Sequence, residues 1–502
     1  MLTRLISTRA RFASVRDAAA MPLSRAVVAA LLLALPIQAS ADAPGHGRST
    51  VVSYPPRHDR GAELSLSTSA RITFTAVADA RRDLPSDSVI FRSGNTVLGT
   101  APLVPIGAGS LSSYGNGVVA CAITLEGGAA CWGGGTAGQL GNGETAHSAV
   151  PVSVQGLPGI VVQLATNYSH SCALLNDGSV WCWGSNAFGQ LGNGTTINAL
   201  TPVAPVGIPD PVVSIATGSQ HTCALTETDH VYCWGLNEYG QLGDGTLIQR
   251  LSPVEVVGLD ADVVQLTLGD WTSCARTAAG TAQCWGRNDS GFLGTGMTST
   301  YEATPQSVSY AGTIVDIDAS REGTCFVNST GQVFCMGRNN YGQMGLGSTS
   351  SGAFAVPQLV SGTSNIEQVS YGARHVCARA DDGSVSCWGS NSSGELGLGS
   401  ADGSVHPVAA ANLGEPIWQL SAGARFNCGL TLDGGVLCWG SNSVGQIGND
   451  QMGVDQLSPV PVIGGAFALP QADAIARLTI GYLPGRDNSL RASFETERRR
   501  RH

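Results

Sequence analysis

The residues most able to do chemistry here are 14 cysteines. They fall in seven pairs: Cys121 and Cys131, Cys172 and Cys182, Cys223 and Cys233, Cys274 and Cys284, Cys325 and Cys335, Cys377 and Cys387, Cys428 and Cys438. Nine residues lie between the members of each pair, and the pairs step along the chain by 51 residues, once by 52. Three chemistries fit such pairs: disulfides, reduced buried thiols, or zinc. Zinc is disfavoured, because no second Cys or His pair recurs at ligand spacing beside each one. His170, His221 and His375 share one repeat position, two residues before the first Cys. A histidine that recurs with the scaffold is expected to hydrogen-bond within its own repeat rather than to catalyse. No HExxH, G-x-S-x-G, EF-hand loop or clustered acid pair occurs. All 27 basic residues are Arg, which excludes the usual P-loop, a Schiff-base Lys and a Ser–Lys pair. Catalytic residues, cofactors and metals are accordingly expected to be none.

The elements that carry these residues repeat with them. CWG surrounds the second Cys in six units and CMG in the fifth, at Cys335. GQLG or a variant follows at Gly138, Gly189, Gly240, Gly291, Gly342, Gly394 and Gly445, and then a proline. The Gly192–Thr195 text, GNGT, recurs in this way and is a turn rather than a phosphate cradle. Between the paired cysteines, two short β-type runs flank a turn such as Asn176-Asp177-Gly178. A three-residue hairpin loop places a left-handed residue last. Setting Gly178 there puts Cys172 opposite Cys182, and the other six pairs follow. Cross-strand neighbours can meet disulfide geometry, so seven within-hairpin disulfides are predicted, with seven pairs of reduced thiols as the alternative. One strand before the first Cys and one around the proline bring each unit to four antiparallel strands, the content of a propeller blade. The fold class is therefore all-β, a seven-bladed β-propeller over residues 105–467. The recurring Trp132, Trp183, Trp234, Trp285, Trp388 and Trp439 are assigned to blade cores.

HTCAL (His221–Leu225), VYCWG (Val231–Gly235) and LNEYGQLGDGT (Leu236–Thr246) resemble the regulator-of-chromosome-condensation repeat family, in seven copies. The resemblance implies a seven-bladed propeller and a recognition platform. Members of that family include a nuclear nucleotide-exchange factor, a plant ultraviolet-B receptor and a secreted bacterial inhibitor of β-lactamases, so the fold alone does not give the function. An exported chain would not meet the nuclear partner. The photoreceptor uses Gly-Trp-Arg-His-Thr text. Here the matching stretches read GSQHT (Gly218–Thr222), GDWTS (Gly269–Ser273), GARHV (Gly372–Val376) and GARFN (Gly423–Asn427). One Trp, shifted by a place, excludes light sensing.

Residues 1–41 read as a secretory signal. Arg25 precedes the apolar run Ala26–Ala39, and Ala39-Ser40-Ala41 offers small residues for cleavage, with Met21 a second start of more usual signal length. The predicted location is secreted or periplasmic, with no membrane span after cleavage. Losing five Arg and one Asp with that segment takes the net charge from −10 to −14, which argues against a nucleic-acid partner. Residues 42–60 are read as a linker and 493–502 as a basic tail. Residues 61–104 and 468–492 weakly resemble the first and last parts of a bacterial immunoglobulin-like β-sandwich, into which the propeller would be inserted; the alternative is two separate decorations, an N-terminal strand pair and a C-terminal strand.

Binding is sought where the repeat varies. Three residues before each first Cys stand Val118, Ser169, Gln220, Trp271, Glu322, Arg374 and Arg425, a column expected to ring one mouth of the channel. Gln220, Trp271, Glu322, Arg374 and Arg425, with Arg321 and Tyr168 one place earlier, form the candidate partner-binding set, since Trp and Arg dominate binding hot spots. A second column before GQLG includes Phe188, Tyr239 and Tyr341, which are expected to pack between blades, with exposure as the alternative. The expected partner is an extracytoplasmic protein or other macromolecule. The alternatives are a secreted enzyme inhibitor of the β-lactamase-inhibitor type and an enzyme acting on polysaccharide. The sequence leaves the oligomeric state open.

Overall fold

A computed structural model describes residues 111–113, 117–431, 434–464 and 467. It also gives the backbone course of strands Ile37–Ala39, Arg71–Ala78, Ser88–Ser93, Thr96–Pro102, Ala474–Gly481 and Leu490–Glu495. Two units emerge: residues 108–469, and the flanks 1–107 with 470–502.

In the first unit each repeat folds as a four-stranded antiparallel sheet with its strands in chain order. The third blade is representative: Val212–Thr217, His221–Thr226, Val231–Gly235 and Arg250–Glu255. Its hairpin pairs Cys223 with Cys233, the register expected from the turn. That turn ends on Asp229 at φ 64°, where the other six blades place Gly at φ between 73° and 88°. Each repeat proline lies in the outermost strand, as in Arg250–Glu255, where a missing N–H costs no ladder bond.

All seven predicted disulfides are present, each within its hairpin, with Cα–Cα distances of 4.0–4.1 Å. Their neighbours come from the next blade. Cys172 and Cys182 share a buried cluster with Trp234, Cys223 and Cys233 with Trp285, and Cys428 and Cys438 with Trp132. Met336 takes the indole's place against Cys274 and Cys284. The tryptophans are therefore not the private core of one blade. Each indole Nε1 donates back to the GQLG-type turn of the preceding blade at 2.9–3.1 Å, as Trp234 does to the Gln190 carbonyl. At Gly192 a β-carbon would stand 2.7 Å from the Trp234 Nε1, so the turn can sit on the indole only without a side chain.

Inner strands are clamped across the same seams. The Gln163 side-chain amide donates to the Ile215 carbonyl at 3.0 Å and accepts from its N–H at 2.9 Å. Gln419 does the same to Leu111, which joins the seventh blade to the first. The first blade's inner strand is composite. Leu111–Ser112 pairs with Ala122 and Cys121, while Phe467, from the other end of the ring, bridges to Thr124. The Phe467 N–H is accepted by Gly434 just as that of Val212 is by Gly178, so Phe467 fills the starting position of an inner strand. Its ring lies 5.7 Å from Trp132.

In the second unit, Arg71–Ala78 pairs antiparallel with Ala474–Gly481 along its full length. A separate sheet orders Ile37–Ala39, Leu490–Glu495, Ser88–Ser93 and Thr96–Pro102. Both sheets thus draw strands from both flanks. Apart from Ile37–Ala39, the signal segment lies outside the described residues, as do the linker and the terminal residues 496–502. No helix among the described residues is long and apolar enough to cross a membrane.

Trp234→Ala is expected to lower unfolding free energy by about 3–5 kcal/mol, and Trp234→Met, which copies the fifth blade, by clearly less; urea unfolding of both variants checks this. All 14 cysteines are fully buried, so intact-mass measurement after alkylation should show no added label unless the folded protein is first both denatured and reduced.

Candidate functional site

The variable column does gather at one end of the blades. Each of its members, at the open end of a hairpin, accepts through its carbonyl the N–H of the residue just after the third strand's CWG-type glycine. Gly134 donates to Val118 in this way, Arg287 to Trp271, Arg338 to Glu322 and Ser441 to Arg425. Strand direction sets the hairpin turns at the opposite end. Those turns carry Glu126, Asp177, Glu227, Asp229, Asp381 and Asp382 and no Arg.

At this end, blades 3 to 7 carry three neighbouring groups of aromatic, guanidinium and carboxylate side chains. Tyr239 of the third blade meets Trp271 of the fourth edge-on at 6.1 Å. The Arg287 guanidinium lies over Trp271 at 4.9 Å and over Tyr239 at 5.5 Å, and Asp289 holds it by two hydrogen bonds. Arg338 donates to Glu322 at 3.3 Å and to Ser290 at 3.0 Å while covering Phe292. Arg321 stands 3.8 Å from Glu322 and 4.0 Å from Asp270. Arg374 lies over the Tyr341 ring at 4.4 Å, and Arg425 reaches Glu395 and Ser392. Stacking and pairing restrict the rotamers of these long side chains.

Of the candidate set, Trp271, Arg321, Arg374 and Arg425 present surface in this cluster, and Gln220 is half-buried at its edge. Glu322 is only 6% exposed and serves Arg338 and Arg321 from below. Tyr168 is exposed on the second blade. In the second column Tyr341 departs from expectation, exposed under Arg374, whereas half-buried Tyr239 packs across the seam against Trp271 of the next blade; Phe188 is half-buried. Arg287 and Arg338 were not signalled by the column. They occupy the position after the CWG-type glycine, which varies as freely and was the available clue. Among the described residues no three His, Cys, Asp or Glu converge as for a metal.

The recurring histidines bond across seams, not within blades as expected. His170 Nε2 meets Thr222 Oγ1 at 2.9 Å, His221 Nε2 meets Ser273 Oγ at 3.0 Å, and His375 Nε2 meets Asn427 Oδ1 at 2.9 Å. A two-residue lead over the Cys points the ring at the following blade. Burial pushes His170 and His221 down to about 3, and lowers His375 too. These rings are neutral structural links. Asp270 goes the other way, raised to about 7 chiefly by burial and by Glu322, against Arg321 and Arg287.

The RCC1-like domain family model matches residues 130–481. The chain belongs to that family. Among curated proteins this RCC1-like chain is 32% identical over 313 residues to the ultraviolet-B receptor UVR8 of Arabidopsis thaliana, covering 61% of this chain and 70% of the receptor. It is 30% identical over 352 residues to the E3 ubiquitin-protein ligase HERC2 of Homo sapiens; that match takes in 68% of this chain but only 7% of the ligase. Among solved structures, Prp20p of Saccharomyces cerevisiae, studied for its binding to Gsp1p and histones, superposes with a TM-score of 0.61 at 20% identity, over 76% of this chain and 94% of that one. This last likeness shows the shared propeller alone.

The RCC1-like ring should weaken in acid through its histidines. Between pH ~6.5 and about 3 the unfolded chain takes up protons that folded His170 and His221 do not bind, so their contribution is whole above that window and is lost as pH falls through it. Asp270 acts oppositely, its contribution fading as pH rises toward about 7. His221→Thr, which copies Thr272 of the fourth blade, isolates the effect: its stability deficit relative to the parent should shrink as pH drops from 6.5 toward 3, read from urea midpoints across that range.

Proposed function

We propose that this chain is an exported, non-catalytic protein-interaction scaffold, and that its partner docks on the mouth of blades 3 to 7. One observation carries the reading. Of the eight Arg in residues 108–469, five stand in this cluster: Arg287, Arg321, Arg338, Arg374 and Arg425. They interleave with Trp271, Tyr239 and Tyr341. Ring symmetry alone would spread such groups evenly, and aromatic and guanidinium side chains supply most interface energy. The signal-like first segment and the seven buried disulfides support export to an oxidising compartment. The histidines that a catalytic reading would enlist are neutral and committed to seams. Ubiquitin-ligase activity belongs to a relative of which this chain matches 7%. The flanks, drawn together by the Arg71–Ala78 and Ala474–Gly481 ladder, are read as one split β-sandwich of immunoglobulin-like kind.

Capture from the native envelope fraction, followed by mass spectrometry, identifies the partner. Trp271→Ala, Arg374→Ala and Arg425→Ala should each weaken its binding by at least ~1 kcal/mol. Unchanged affinity in all three removes the mouth as the docking face. A captured hydrolase whose turnover falls on binding would narrow the scaffold to an inhibitor.

A further inference from the structure

Just below the mouth the fourth blade buries a carboxyl group that its surroundings do not satisfy. Asp270 is 2% exposed, and its Oδ1 has no hydrogen-bond partner. Its Oδ2 faces the Arg321 Nε at 4.0 Å, too far for a hydrogen bond. The same repeat position holds Tyr168, Ser219, Arg321, Ala373 and Ala424 in other blades, so no feature of the fold requires an acid there. Asp270 is a departure from the repeat, placed under the side chain that departs at the equivalent place one blade on.

The charges around it form a closed set. Arg321 stands over Asp270 and beside Glu322. Glu322 is held by Arg338, which also faces Asp289 at 3.9 Å. Asp289 holds Arg287, which acts on Asp270 from its place over Trp271. Burial first, and then the Glu322 carboxylate, push the Tyr371 hydroxyl of the sixth blade up. Arg338 and Arg287 have close carboxylate partners at 3.3 Å or less. Arg321 has only the two looser ones, and 41% of its side chain is exposed.

We infer that Asp270 and Arg321 make the mouth an acid-responsive reader of carboxylates, taking an acidic segment of a partner protein more tightly when Asp270 is protonated. The inference rests on the mouth being the docking face. Ionised Asp270 offsets the Arg321 charge from beneath. A proton taken from solvent onto Asp270 removes that offset, gives the buried carboxyl its neutral form, and leaves the exposed guanidinium to pair outward. Planar guanidinium–carboxylate pairing then adds directional hydrogen bonds to the charge. Burial places the transition near neutrality, within reach of ordinary changes in surroundings.

The probe is a fluorescein-labelled hexaglutamate peptide, titrated into the full chain at low salt from pH 8 to pH 6 and followed by anisotropy. Glutamate ionises near pH 4.3, so the probe keeps its charge throughout. The parent should tighten by about three- to tenfold toward pH 6, the effect of uncovering one charge near the surface. Asp270→Asn, and Asp270→Ser on the model of Ser219, should bind at both pH values as the parent does at pH 6. Arg321→Ala should bind more weakly and without pH dependence. A flat parent curve, tightening that survives in both Asp270 variants, or no binding of hexaglutamate at any pH overturns the inference. The scaffold reading stands or falls separately: a natural partner lost on Trp271→Ala would uphold it even if the peptide failed.

Discussion

The ring depends on one contact made seven times: a large side chain laid across the buried disulfide of the blade before it. Trp234 shows its parts. The indole covers Cys172 and Cys182, its N–H reaches back to Gln190, and Gly192 gives up a side chain so the turn can rest on its edge. No blade owns a complete core. Each supplies sulfur to one side and an indole, or Met336 in the fifth blade, to the other, so a single sheet has nothing of its own to bury against. Closure is then required by packing as well as by topology. Phe467 shows this at the join, where it starts a strand that Leu111–Ser112 finishes from the other end of the ring.

A scaffold fixed by repetition leaves the mouth free to differ. The seams pass through residues that recur, while positions at the open hairpin ends answer to no neighbour's core. Positive charge has collected over the later blades, and acids occupy the hairpin turns at the other end. The molecule is negative overall, yet one of its faces offers guanidinium groups in fixed positions. Such a division of charge gives the molecule an electrostatic direction, the kind that steers a charged species before contact.

The strand register was readable because turn chemistry is local: a left-handed residue at Gly178 settles which cysteine faces which. The number of blades followed from counting. What crosses a seam was not readable. His221 looks the same whether it bonds to its own sheet or to Ser273, since the answer depends on how adjacent sheets are rotated. Glu322 shared a column with exposed residues but turned inward to Arg338, which follows the third strand's glycine in the same blade. Arg287 and Arg338 escaped notice for a related reason. A surface patch is assembled from several columns, and one column examined by itself shows a single edge of it. Asp270 was visible only as a letter beside Trp271. Its burial under Arg321 belongs to the packed blades.

The sealed cystines impose an order on how the molecule is made. Once a neighbour's indole covers the sulfurs, no oxidant or exchanging thiol can reach them. Each hairpin is therefore cross-linked most readily before its neighbour packs against it, ahead of assembly of the circle. A mispaired sulfur could be corrected only by taking the circle apart, so its completion acts as the final inspection of every bridge.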